Sequence, residues 1–348
     1  MKRKMAYIMI CIVLIMSFTG CAKKDELVSD TALMMDTVIQ IKAYGPKAEK
    51  AIKTAFKRIE EIEKLASATI DTSDISKINQ AAGKDYVKVH PDIVKMIKTA
   101  VHYSELSDGA FDITVGPLIK LWNIGSGGDK VPLEADIEAL MPLVGYKNIR
   151  INEEESSVKL MQEGMSIDLG GIAKGFAADE IIKIFNDMGV DRALIVLGGS
   201  SIYAIGEKPE NKSWTVQIQH PRKGRNESYL GIISLKDQAL TTSGDYERYF
   251  IVGDKRYHHI LNPYTGYPTD NGIMSVSINV DSSIPDCNMI ADILTKTVFV
   301  SGIEKGFEFI DGIKGVSAMA VTTDYEIYKS SRWDKELRNL NTEFKVVN

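Results

Sequence analysis

Hydrophobic and polar positions change period several times along this chain, and each change marks an element. From Met35 to Tyr44 the residues alternate, with Met35, Thr37, Ile39, Ile41 and Ala43 on one face, which predicts a strand. Between Pro46 and Leu65 the apolar residues Ala48, Ala51, Ile52, Ala55, Phe56, Ile59 and Ile62 fall on one helical stripe. Ser67 to Asn79 is polar and turn-rich, and Pro91 opens a second helix through Val94, Ile97 and Val101. Later, a strand end turns on Gly170 and Gly171, after which Ala178, Ile181, Ile182 and Phe185 recur at helical spacing. Ala193 to Gly206 reads as two strands about Gly198 and Gly199, and Trp214 to Ile218 and Leu230 to Ser234 continue the β character. Thr241 to Tyr246 reads as a polar turn between strands, and Arg256 to Asp270 as turn chemistry framed by aromatic residues. Asp286 caps a helix reaching Gly302, two strands surround Asp324, and Arg332 begins a polar end. Such hairpin-like alternation predicts an α+β fold with antiparallel sheets, not a doubly wound parallel sheet.

Composition narrows the class. With 348 residues, 44% hydrophobic and 26% charged, the chain is globular, and its net charge of -5 argues against nucleic acid as a partner. No repeat or low-complexity linker marks a boundary inside the body. Lys2, Arg3 and Lys4 precede an apolar run from Met5 to Phe18, shorter than the roughly 20 residues of a spanning helix. The run ends in Ser17-Phe18-Thr19-Gly20-Cys21, which resembles a bacterial lipoprotein signal with Cys21 as the lipidated residue. The expected organisation is a signal over 1–20, a polar tether over 21–29 and one domain over 30–348, outside the cytoplasm and held to the membrane by lipid. After Cys21 only Cys287 remains, so no intramolecular disulfide is expected once Cys21 is lipidated.

Four places carry candidate chemistry, each with an ordinary structural reading beside it. The Gly170–Gly171 turn puts Lys174 in the first turn of a helix, where the helix N-terminus already carries about half a positive charge. Either an anion such as phosphate offsets both, or Asp168 pairs with Lys174 across the turn. Asp112, between Phe111 and Ile113, is a capping carboxylate or one that meets a ligand. Of His258 and His259, alternation lets only one face a given site. On the 286–302 helix, Asn288, Asp292, Thr295 and Lys296 gather opposite Met289, Ile290, Ile293 and Leu294, either as a solvated Asp292–Lys296 pair or as oxygen ligands for a hard cation such as magnesium.

Together these segments resemble the ApbE family of FAD:protein FMN transferases. The resemblance rests on M-D-T at Met35 to Thr37, G-A-F-D-I-T-V-G-P-L at Gly109 to Leu118 and D-L-G-G-I-A-K-G at Asp168 to Gly175. It continues through L-G-G at Leu197 to Gly199, T-S-G-D-Y at Thr242 to Tyr246, H-I-L-N-P-Y-T-G-Y-P at His259 to Pro268 and A-D-I-L-T at Ala291 to Thr295. It implies a tunnelling-fold α+β architecture, FAD as substrate and Mg2+ held by the Gly171 carbonyl and Asp292 with help from Thr295. Met35, Ala110, Phe111, Asp112, Asp168, Lys174 and Leu261 would line the flavin or adenine pockets. His259 would sit near the diphosphate, with His259, Asp292 and Lys174 as the catalytic set. The implied reaction moves FMN onto a threonine or serine of an acceptor protein, within a motif like (S/D)-G-A-(T/S), and releases AMP. The chain departs from the family pattern at Lys296, where threonine is usual, at Asn262 for a common aspartate, and at Thr69-Ile70, where many members carry a tyrosine near the flavin. Asp108-Gly109-Ala110-Phe111 looks like an acceptor motif with phenylalanine in the hydroxyl position, so the acceptor is expected to be another protein. An FAD diphosphatase and a non-catalytic flavin-binding lipoprotein remain as alternatives.

Overall fold

The alternation of Ile39, Ile41 and Ala43 is realised in the second strand of a large sheet, where all three side chains are fully buried. The chain is described by a computed structural model over residues 26–225 and 227–347; the segment expected to be a signal, and Cys21, lie outside the described residues. Nine strands make the sheet: β1 (Leu27–Met34), β2 (Thr37–Tyr44), β3 (Ala193–Leu197), β4 (Ser201–Ile205), β5 (Gln238–Gly244), β6 (Ile273–Asp281), β7 (Val316–Thr322), β8 (Glu326–Lys329) and β9 (Lys345–Val346). Their spatial order follows the chain, and every neighbouring pair is antiparallel except β8 with β9. The expected α+β class with antiparallel sheets is what the fold has.

Among the described residues there are eight α-helices: α1 (Ala48–Ala66), α2 (Asp74–Gln80), α3 (Pro91–Leu106), α4 (Gly116–Trp122), α5 (Glu134–Leu140), α6 (Ala173–Met188), α7 (Cys287–Ser301) and α8 (Ile303–Asp311). The sheet is apolar on both faces. Ile195, Leu197, Val276 and Ile278 point to a core shared with α1, α6 and α7. Leu194, Ile202, Leu240 and Met319 point the other way, under the Trp214–Gln219/Tyr229–Leu235 hairpin and the terminal residues Trp333 and Phe344. Period-two burial therefore serves two cores from single strands. A smaller cluster seats the turn after His259. Trp122 stacks on Tyr257 with ring centroids 5.7 Å apart, and its indole N–H donates to the Gly266 carbonyl at 2.8 Å.

The local expectations need several corrections. Residues 27–29, read as tether, belong to β1, whose side chains are mostly exposed, so its ladder to β2 is not announced by an apolar face. Met35 is not in a strand: Met35 and Asp36 have φ of 52° and 55° and form the two-residue turn between β1 and β2. The polar stretch 67–79 contains most of α2, which starts where the Ser73 side chain accepts from the Ser76 N–H at 2.9 Å. Thr241 to Gly244 is not a turn but the end of β5. Two of its hydroxyls are satisfied across the structure, Thr242 with Ser277 and Ser243 with Thr295, both at 2.8 Å, while the buried Thr241 hydroxyl has no partner among the described residues. Part of the 256–270 turn is also strand, since Lys255–His258 pairs with Tyr249–Val252.

Candidate active site

At the start of α6, Asp168 accepts the Gly170 N–H at 2.7 Å, closing the turn that the two glycines make. Lys174 lies 3.5 Å from the Gly170 carbonyl, and its charge acts on Asp168 through space, not through a direct contact among the described residues. Burial raises the Asp168 pKa, against the pull of the Gly170 N–H, Lys174 and Arg248. No side chain at Ile172 caps α6; a carboxylate comes instead from α7, where Asp292 Oδ2 accepts the Gly175 N–H at 3.2 Å.

The two helices cap each other. Asp179 of α6 accepts the backbone N–H groups of Asn288 (3.1 Å) and Met289 (2.9 Å) at the start of α7, and the Asn288 side-chain amide at 2.8 Å. Asp286 holds the N-cap position of α7 with φ of 56° but makes no side-chain cap, because its carboxylate pairs with Lys95 at 2.6 Å. The crossing is tight: a Cβ on Gly175 would lie 2.3 Å from the Asn288 carbonyl oxygen and 2.6 Å from Met289 Cα, both backbone atoms. Gly175→Ala is therefore expected to destabilise the fold by about 1–3 kcal/mol, as overpacking does. A urea midpoint equal to the parent's would show that the helices can part without cost.

One cavity of about 620 Å³ joins the distant segments. Met35, Ala110, Phe111, Asp112, Asp168 and Lys174 line it, and so do Gly171, Leu261, His259 and Asp292. Its size is that of a small-molecule site. Asp112 touches it but is largely committed to its own loop: one oxygen accepts from Thr114 N–H (2.8 Å) and Oγ1 (2.6 Å), the other from Tyr146 N–H (2.9 Å). Its carboxylate holds that wall in place, the capping role open to it from sequence.

His258 and His259 divide as alternation requires. His258 is buried, with Nε2 at 2.7 Å from the Thr269 carbonyl, and burial lowers its pKa. His259 faces the cavity, with Nδ1 3.3 Å from the Arg248 carbonyl. That contact assigns the proton to Nδ1 and leaves Nε2 as a lone-pair acceptor. Burial, then the neighbouring His258 and Lys296, depress the His259 pKa, so the ring is neutral near pH 7.

Asp292 is 1% exposed, so the solvated ion pair is excluded. Its Oδ1 is held by the Lys296 ammonium, which also lies 3.0 Å from the Asp292 carbonyl. Thr295 corrects the expected ligand set: it does not line the cavity, and its hydroxyl donates to the Asp292 carbonyl at 2.7 Å and accepts from Ser243 at 2.8 Å. The position beside the Asp292 carboxylate belongs to Lys296. Among the described residues no three His, Cys, Asp or Glu side chains gather as a metal cluster. A carboxylate, with a glycine turn on the same wall, nevertheless suits a hard cation that takes carboxylate and backbone oxygen. The ammonium already stands in for such a charge.

Two basic residues in the wall, Arg225 and Arg248, were not singled out from sequence. Arg225 donates to the Gly198 carbonyl at 2.9 Å and pairs with Glu247 at 3.3 Å. Neither belongs to a periodic pattern: Arg225 ends the basic run Arg222-Lys223-Gly224-Arg225, and Arg248 sits in the short Asp245–Arg248 link between two strands.

Comparison with known proteins decides the family. The ApbE family model matches residues 35–320. The chain belongs to the ApbE family. It is 34% identical over 323 residues to the FAD:protein FMN transferase of Klebsiella pneumoniae (strain 342), covering 93% of this chain and 98% of that protein. It is 30% identical over 354 residues to the same-named protein of Treponema pallidum (strain Nichols), covering 97% and 96%. The crystal structure of the ApbE protein from Thermotoga maritima superposes with a TM-score of 0.78 at 31% identity, over 88% of this chain and 97% of that one. For the flavin transferase ApbE from Vibrio cholerae the values are 0.77, 26%, 88% and 97%. The nine-stranded, mainly antiparallel sheet and its helical layer are thus an ApbE architecture.

Proposed function

We propose that this ApbE-family chain transfers FMN from FAD to a threonine or serine hydroxyl of an acceptor protein, releasing AMP. One observation carries the reading: Asp292, from α7, meets the start of α6 in a cavity also lined by Lys174 and His259. The names of its ApbE relatives agree with that chemistry. In the reaction the acceptor oxygen forms a bond to the FMN phosphorus, the bridging P–O bond breaks, and AMP leaves with the bridging oxygen. Such a step needs charge neutralisation and an aligned hydroxyl.

Lys174 supplies positive charge at the diphosphate, and the neutral His259 offers Nε2 to the acceptor's hydroxyl proton. Apolar Met35, Phe111 and Leu261 form the part of the wall that suits a flavin or adenine ring. Asp292 and the Gly171 carbonyl would hold Mg2+, which when bound supplies Lewis-acid stabilisation of phosphate charge. Lipidation of Cys21 would keep the enzyme outside the cytoplasm at the membrane, facing extracytoplasmic redox proteins. Among the described residues no helix is long and apolar enough to cross a membrane.

The test incubates the full mature chain with FAD, Mg2+ and a protein carrying a threonine in the (S/D)-G-A-(T/S) motif. Covalent flavin fluorescence on the acceptor in a denaturing gel is expected, with one AMP per flavin attached. Free FMN and AMP without labelled acceptor would mean that water is the nucleophile, and intact bound FAD would mean that the site binds without chemistry.

A further inference from the structure

We propose that Lys296 is a built-in competitor for the cation seat at Asp292: its ammonium holds the carboxylate when no dinucleotide is present and moves onto the diphosphate when one enters. Divalent metal and dinucleotide would then load cooperatively. The inference rests on the flavin-transfer reading for its ligand, but its geometry is independent of that reading. Both carboxylate oxygens of Asp292 are engaged, Oδ2 by the Gly175 N–H and Oδ1 by the Lys296 ammonium. Thr295, one residue earlier, is turned to Ser243 and offers the seat nothing. Lys296 lines the same cavity, and its Cε lies 3.9 Å from where a Cβ on Gly171 would stand, so it occupies the space between the glycine turn and Asp292.

A metal ion entering at Oδ1 would meet this ammonium as a like charge in a place with little water to screen it, and the two disfavour each other. The lysine is a flexible four-carbon stem with a compact charge, 18% exposed against 1% for Asp292, so it is the partner able to move. A diphosphate in the cavity presents the anion that would draw it off. The free enzyme should therefore hold divalent ions weakly, and occupancy by a dinucleotide should strengthen that hold.

The test titrates Mn2+ by electron paramagnetic resonance into the mature parent chain, Lys296→Met and Lys296→Arg, with and without ADP as a diphosphate probe. Without ADP, Lys296→Met is expected to bind Mn2+ roughly ten- to a hundredfold tighter than the parent, the range a close charge confers. Lys296→Arg should match the parent. ADP should tighten Mn2+ binding by the parent more than by Lys296→Met. Equal Mn2+ affinity of parent and Lys296→Met without ADP would overturn the proposal; Lys296→Thr makes the same comparison if circular dichroism shows the Met variant unfolded. If the parent labels an acceptor with flavin while those affinities are equal, the lysine proposal alone falls. Absence of Mn2+ binding in every chain, with or without ADP, overturns the cation seat itself.

Discussion

Asp292→Asn is expected to lower FMN transfer by roughly a hundred- to a thousandfold, the loss seen when one preorganised electrostatic contact is removed from a reacting site. Asparagine keeps the size of the side chain and an oxygen for the Gly175 N–H, so the α6–α7 crossing survives. What it removes is the charge that holds a cation, whether the Lys296 ammonium or a metal. FAD affinity should change far less than turnover, because the ring contacts at Phe111 and Leu261 are untouched. Labelled acceptor per minute, measured beside FAD binding by flavin fluorescence, checks both. A variant with parental turnover would remove Asp292 from the chemistry. Both variants leave Lys296 without its carboxylate, but Asp292→Ala is the harsher substitution because it also leaves the Gly175 N–H without an acceptor.

Asp179→Ala should cost the fold about 1–3 kcal/mol, the range for leaving buried donors without their acceptor. Four donors lose their acceptor: the N–H groups of Asn288 and Met289, the Asn288 side-chain amide and, more weakly at 3.9 Å, the Cys287 thiol. Among the described residues no other side chain caps α7, because Asp286 is engaged with Lys95. Urea unfolding measures the loss, and a midpoint within experimental error of the parent's would refute the exchange of caps. The same carboxylate predicts a pH dependence. Burial, opposed by the Asn288 and Met289 donors, raises the Asp179 pKa from 3.8 to about 6 in the folded chain. Between those values the folded chain keeps a proton that the unfolded chain has lost, so protons stabilise the fold. The contribution is present in full below the unfolded value and is lost as pH rises through about 6. The parent's unfolding free energy should therefore contain a component that falls between pH 4 and pH 6 and is missing in Asp179→Ala. Identical pH profiles for the two chains would place the raised pKa elsewhere.

Amphipathic periodicity sufficed for α1, α3, α6 and α7 because each buries a stripe recurring at the helical period, as Ala51, Ile52, Ala55, Ile59 and Ile62 do in α1. It failed where polarity and burial part company. Thr242 and Ser243 sit in a strand because hydroxyls from β6 and α7 satisfy them, and those partners are 35 and 52 residues away. β1 was missed for the opposite reason, since its exposed side chains carry no apolar face and the strand is defined by its ladder to β2.

By itself, then, the sequence determined the α+β class, the family and most of the residues around the cavity, since local period and short motifs are written in neighbouring positions. Tertiary structure alone decided how α6 and α7 exchange their caps and which polar residue of α7 meets the carboxylate. Thr295 and Lys296 stand on adjacent steps of one helix, about 100° apart around its axis. Which of them reaches Asp292 depends on how α7 lies against β5 and the glycine turn, where Ser243 engages the threonine and the cavity admits the lysine.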